Sequence, residues 1–187
     1  MSLLITGGMG FVLSHVVKLW LEDDPSARVI VVDNARIDWE AKQFLSNVEG
    51  RIQHIVADVL NVDAWATEVD QNSITQVIHG AAVSPISTNA ASSPDWQDPS
   101  RTVRVNVMGT VRVLNWVRQL PNLQRFLYVS SGVYGYGYKG AATDSPESAI
   151  GEDAPLEPGA ALYDISKATG EQVVRRFSEL YNISSVC

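Results

Sequence analysis

Tyr163 and Lys167 stand four residues apart in the run YDISK, a spacing that puts both side chains on one face of a helix. An ammonium beside a phenol favours the phenolate, so the pair suits a general acid–base that takes or returns a hydroxyl proton. Ser130 and Ser131, in YVSSGVYG, offer a hydroxyl that could bond the same reacting oxygen. Each feature has a plainer explanation as well: an exposed helix pair and a polar strand end.

A second chemistry resides in Gly7-Gly8-Met9-Gly10, which follows the apolar run LLIT. Glycines between a strand and a helix allow a sharp turn and a close backbone approach. The helix start then presents unpaired N–H groups and a favourable dipole to an anion. Asp33 ends the run RVIVVD, about 20 residues downstream, where a ribose-binding acid is expected in a dinucleotide site. Its carboxylate would accept from the 2′- and 3′-hydroxyls and repel a 2′-phosphate, favouring NAD over NADP; Arg36 could soften that preference. A strand-to-helix turn and a capping aspartate are the structural alternatives.

Alternating apolar strands and helical patterns must position these groups. Strands are expected at Leu3–Thr6, Arg28–Asp33, Arg51–Ala57, from Gln76 to His79, Arg125–Val129, and from Ile183 to Val186. A helix is expected over Gly10–Leu21 with Phe11, Val12, Val16 and Leu19 on its apolar face. Longer helices are expected over Arg101–Gln119, with Val103, Val107, Val111 and Leu114 apolar, and over Ala160–Tyr181. This alternation predicts an α/β fold: a Rossmann-type doubly wound parallel sheet with helices on both faces. Ligands then bind beyond the carboxyl ends of the strands. The long segments Ser84–Pro99 and Gly135–Gly159 follow strands at that edge and are candidate substrate loops.

In family order these pieces resemble the extended short-chain dehydrogenase/reductase family, the NAD-dependent sugar-nucleotide epimerases and dehydratases. TGGMGF resembles its opening turn, ADVLN its adenine contact, VIHGAA its cofactor-side strand end, and VNVMGT, YVSSGVYG and YDISK the motifs that follow. The resemblance implies NAD as cofactor, bound by Gly7, Gly10, Phe11, Asp33, Asn34, Asp58, Val59, Ala81, Ala82, Asn106, Tyr163 and Lys167. It implies a nucleotide-sugar or related small-molecule substrate, with catalysis by Ser131, Tyr163 and Lys167. Lys167 would also hold the nicotinamide ribose. A homodimer through the two long helices is a further implication. Residues 1–187 would be a single NAD-binding domain, the substrate-binding half of the family being absent.

Three departures qualify the resemblance. Leu13 stands where a third glycine normally lets helix and strand pack closely; overpacking there is expected to cost about 1–3 kcal/mol and to weaken cofactor binding. SSGVYG is one residue shorter than the common family pattern. Counting from the strand selects Ser131 as the catalytic hydroxyl, and counting back from Tyr134 selects Ser130. The chain also stops well before relatives do. A non-catalytic dinucleotide-binding module and an inactive remnant therefore stay open beside the enzyme. Gly132 and Val133 replace the acidic pair a dehydratase would show, which favours an epimerase or dehydrogenase.

Composition limits the alternatives. The chain of 187 residues has 14 Lys+Arg against 21 Asp+Glu, and an acidic chain without a basic run is a poor nucleic-acid binder. The apolar N-terminal run is too short to span a bilayer. One cysteine, Cys187, permits no disulfide within the chain, and a cytoplasmic setting is expected. His15, His54 and His79 are dispersed, are expected to be satisfied structural residues, and make no metal pattern. Trp20–Asp24 reads as a solvated helix end.

Overall fold

The computed structural model describes residues 2–84, 98–131 and 161–187. Six strands form one parallel sheet in the order β3-β2-β1-β4-β5-β6. They are β1 (Ser2–Thr6), β2 (Arg28–Asp33), β3 (Ile52–Val56), β4 (Ile74–His79), β5 (Arg125–Tyr128) and β6 (Ser185–Val186). The strand order reverses at β1, which has β2 on one side and β4 on the other. Helices α1 (Phe11–Asp23) and α2 (Trp39–Phe44) follow β1 and β2, and the short α3 (Val62–Trp65) follows β3. Between β4 and β5 run α4 (Pro99–Val103), a π-helical segment (Arg104–Gly109) and α5 (Thr110–Val117). The long α6 (Leu162–Tyr181) leads to β6.

The sheet is buried on both faces because successive strand side chains point to opposite sides. Leu3, Ile5, Val29 and Val31 pack with Leu13, Val17 and Leu21 of α1 and with Leu45 and Val48. Leu4, Ile30, Val32, Val77 and Phe126 pack on the other side with Trp65, Val113, Leu114 and Val174. There the Trp65 and Trp116 rings meet edge to face, with centroids 4.8 Å apart, an arrangement that adds about 0.5–1.5 kcal/mol to simple burial.

Two helix faces differ from expectation. In α1, Phe11 is 84% exposed, and Val12 and Leu19 are also exposed. The buried stripe is Leu13, Ser14, Val17 and Leu21. Its i, i+4, i+8 members are the ones that meet β1 and β2, so Leu13 is a core residue and Leu21 is the buried exception in Trp20–Asp24. Between β4 and β5, Val103 is exposed while Thr102, Asn106 and Thr110 are buried. Hydrogen bonds hold the Asn106 and Thr110 side chains inside, while of the expected apolar stripe Leu114 is buried and Val107 and Val111 are half-buried.

The substrate-loop expectations at 85–97 and Gly135–Gly159, together with Gly132, Val133, Tyr134 and Ala160, lie outside the described residues. Among the described residues, no helix is long and apolar enough to cross a membrane. No cluster among them could hold a metal ion.

Candidate dinucleotide site

The glycine turn joins β1 to α1 at the point where the strand order reverses. Gly7 has φ +75°, a left-handed conformation that costs glycine little and other residues more. A Cβ on Gly7 would also lie 2.7 Å from the backbone nitrogen of Ala81. The turn therefore presses against the end of β4 so closely that only a hydrogen fits between them. Gly10 caps α1 without a side-chain partner for the first turn, leaving that N-terminus to bind whatever anion approaches.

Asp33 ties this turn to β2. Its Oδ2 accepts from the Met9 N–H at 2.9 Å and its Oδ1 from the Ala35 N–H at 2.9 Å. The carboxylate is buried, yet each oxygen keeps a lone pair for a further donor. Beside it opens a cavity of about 450 Å³ at the carboxyl ends of the strands. Gly7, Gly10, Asp33, Asn34, Asp58, Val59, Ala81 and Ala82 all line it. Sequence reasoning had singled out each of these. It missed Arg101 and Val105 of the cavity lining and Gly80 just after β4.

Leu13 does not simply overpack this corner. It is buried, and its Cδ1 stands inside contact distance of where a Cβ on residue 80 would be. The missing glycine in α1 is thus matched by a glycine just after β4. Because Gly80 supplies room for Leu13, the expected overpacking is relieved without opening the turn.

Behind the cavity runs a buried chain of polar groups. Thr110 Oγ1 donates to the Asn106 carbonyl at 2.6 Å, so it accepts from His79 Nε2–H at 3.0 Å. His79 Nδ1 is then the bare nitrogen and accepts from the Thr6 hydroxyl at 2.6 Å. Thr6 Oγ1 in turn accepts from the Ala81 N–H at 3.4 Å. Burial, with the Lys167 charge nearby, pushes the His79 imidazole down to about 3. His79 is thus a satisfied neutral residue, as expected. In His54, Nε2 is buried without a hydrogen-bond partner among the described residues, and burial lowers the pKa against the pull of Asp33.

Asn106 sits in the π-helical segment, and its amide is fully engaged. Oδ1 accepts from the Val83 N–H at 2.7 Å, while Nδ2 donates to the Val83 carbonyl at 3.0 Å and to Ser166 Oγ at 2.9 Å. It latches the end of the cavity wall to α6 rather than lining the cavity itself. Ser166 lies between Tyr163 and Lys167 on α6, so the latch also sets that helix. Lys167 is buried, and its Nζ donates to the Val129 carbonyl at 2.8 Å. It lies 5.0 Å from the Tyr128 ring centroid, and burial lowers its pKa to about 8. Ser130 Oγ donates to Glu171 Oε2 at 3.3 Å, one helical turn beyond Lys167.

A parallel sheet with its glycine turn, acid and cavity at the switch point defines a Rossmann domain of the dinucleotide-binding type. Comparison with known proteins narrows the class. The model of the NAD dependent epimerase/dehydratase family matches residues 3–187, and the chain belongs to that family. It is 26% identical over 181 residues to a putative UDP-glucose 4-epimerase of Methanocaldococcus jannaschii, covering 97% of this chain and 52% of that protein. It is 29% identical over 192 residues to vestitone reductase of Medicago sativa, covering 97% and 55%. A crystal structure of UDP-glucuronic acid 4-epimerase from Bacillus cereus, in complex with UDP-glucuronic acid and NAD, aligns with a TM-score of 0.76 at 25% identity. That alignment covers 100% of this chain and 55% of that one. The chain spans about half the length of these relatives.

Proposed function

We propose that residues 1–187 form the cofactor-binding domain of an NAD-dependent oxidoreductase of the epimerase type. The observation that carries this reading is the cavity at the switch point, with Gly7 against the Ala81 backbone, an uncapped α1 N-terminus and Asp33 on its wall. These residues fit a dinucleotide. The turn Gly7–Gly10 and the first turn of α1, from Phe11, would hold the pyrophosphate. Asp33 and Asn34 would take the adenosine ribose, Asp58 and Val59 the adenine, and Ala81 and Ala82 would run along the cofactor. NAD would supply two-electron redox chemistry at a carbon bearing a hydroxyl.

The chain's own contribution to chemistry would come from α6 and the end of β5. Tyr163 would take or return the hydroxyl proton, and Lys167 would hold the nicotinamide ribose and favour the phenolate. Ser131, at the end of β5, would be the hydroxyl that positions the reacting oxygen. A nucleotide sugar is the substrate class supported by the relatives named as UDP-sugar epimerases. The reductase relative keeps a simple dehydrogenase within the same proposal, because both activities use the cofactor half alike.

Assembly follows the same reading. Val103, Met108 and Ile165 are large apolar residues exposed on the segments running from α4 and on α6, and we place a second copy of the chain against them. Light scattering is expected to give a dimer mass for the parent and a monomer for Met108→Lys; a monomeric parent contradicts this assembly.

The cofactor assignment is tested through Asp33. The parent should bind NAD more tightly than NADP, and Asp33→Ala should lose most NAD affinity and narrow the gap. Equal affinities of parent and variant for NAD would show that the carboxylate does not meet the ribose.

A further inference from the structure

Arg101 is a cavity residue that the sequence motifs do not mark. It stands in the first turn of α4, one helical turn before Val105, and both line the cavity. The other charged side chains on that lining are Asp33 and Asp58, so Arg101 is its only cation among the described residues. The acid closest to it in sequence is already engaged. Asp98 caps α4, accepts from the Ser100 hydroxyl at 2.6 Å, and lies 3.6 Å from the Arg104 guanidinium. Among the described residues, Arg101 makes no ion pair of its own.

The cavity's charges are therefore divided. Both acids already accept backbone N–H groups: Asp33 from Met9 and Ala35, and Asp58 from Leu60. Their remaining lone pairs suit hydroxyl or amine donors. An anion has two places to go, the uncapped N-terminus of α1 and the Arg101 guanidinium. A guanidinium is built to bond phosphate oxygens through paired N–H groups.

Resting on the dinucleotide reading above, we propose that Arg101 is a cofactor-binding residue that pairs with the pyrophosphate in the cavity it lines together with the glycine turn. The helix start supplies backbone N–H groups and a partial charge; Arg101 supplies the full positive charge that the turn lacks. Anchored on α4, it makes phosphate affinity depend on the same segment that carries Asn106.

The test compares the parent with Arg101→Gln and Arg101→Lys, using NAD, ADP and adenosine as probes. Titrations are run at low and high salt, with adenosine followed by ligand-observed NMR. Arg101→Gln should weaken NAD and ADP by about tenfold to a hundredfold, the loss typical of a hydrogen bond to a charged group, and leave adenosine unchanged. The salt dependence of ADP binding should flatten, and Arg101→Lys should recover part of the affinity. Unchanged NAD affinity in Arg101→Gln at both salts overturns the role of Arg101 while leaving the dinucleotide reading intact. Equal weakening of adenosine and ADP also overturns it, by pointing to contact with the nucleoside. A folded parent that binds none of the three removes the dinucleotide reading and the role of Arg101 with it.

Discussion

Leu13 and Gly80 are best understood as one feature. In the common glycine turn, a small residue on the helix lets it approach the strand. Here the bulk is on the helix and the small residue lies just after β4, with Leu13 buried over Gly80. Leu13 therefore contributes packing, and Leu13→Ala should destabilise the fold by about 2–5 kcal/mol, the usual range for a buried leucine. Gly80→Ala should cost about 1–3 kcal/mol through overpacking. The double variant should be more stable than the sum of the two losses predicts, because removing Leu13 makes room for the new methyl. Denaturant titration of the four proteins checks this, and strict additivity would separate the two residues. The sequence could not disclose the exchange, since the residues are far apart along the chain and only the β1–β4 pairing joins them. Its effect is to remove one of the two grounds for a non-catalytic module, Leu13 as damage, the other being the missing substrate-binding region.

At the level of elements, the segment from α4 to α5 joins the cavity to the Tyr163–Lys167 helix. Its apolar spacing marks Leu114, which is buried, but not the polar residues Thr102, Asn106 and Thr110 buried beside the apolar core. Polar residues go inside only when bonded, and the sequence does not show partners such as Val83 and Ser166. Asn106→Ala removes three bonds from buried or part-buried groups. It should cost about 1–3 kcal/mol, the range for leaving a buried polar group unpaired. It should also weaken NAD binding, because Val83 lies on the cavity wall. Thermal unfolding alongside NAD titration separates the two effects. An unchanged NAD affinity in a folded variant would mean that the latch does not shape the site. The parallel strands were much easier to read, because β-branched runs such as RVIVVD suit positions buried on both faces. The glycine turn and Asp33 were likewise readable, since their spacing alone carries the chemistry. Arg101 belongs to no such pattern and emerges only when the fold brings α4 to the cavity.

For the whole molecule, His79 links stability to pH. Its imidazole is held neutral, with a folded pKa of about 3 against an ordinary 6.5. As pH falls through 6.5, the unfolded chain gains a proton that the folded chain refuses, so stability declines progressively towards pH 3. Denaturant midpoints should therefore drop between pH 7 and pH 5. His54, also lowered by burial, contributes in the same direction. His79→Gln should be less stable at pH 7 and show a shallower decline; an unchanged slope would assign the pH dependence elsewhere.

Calorimetric titration of NAD into the purified chain tests whether the switch-point cavity binds the cofactor. The parent should show saturable one-site binding. Gly7→Ala, whose methyl would meet the Ala81 backbone, should lose that binding, with circular dichroism confirming that both proteins are folded. A folded parent that takes up no NAD would contradict the dinucleotide reading.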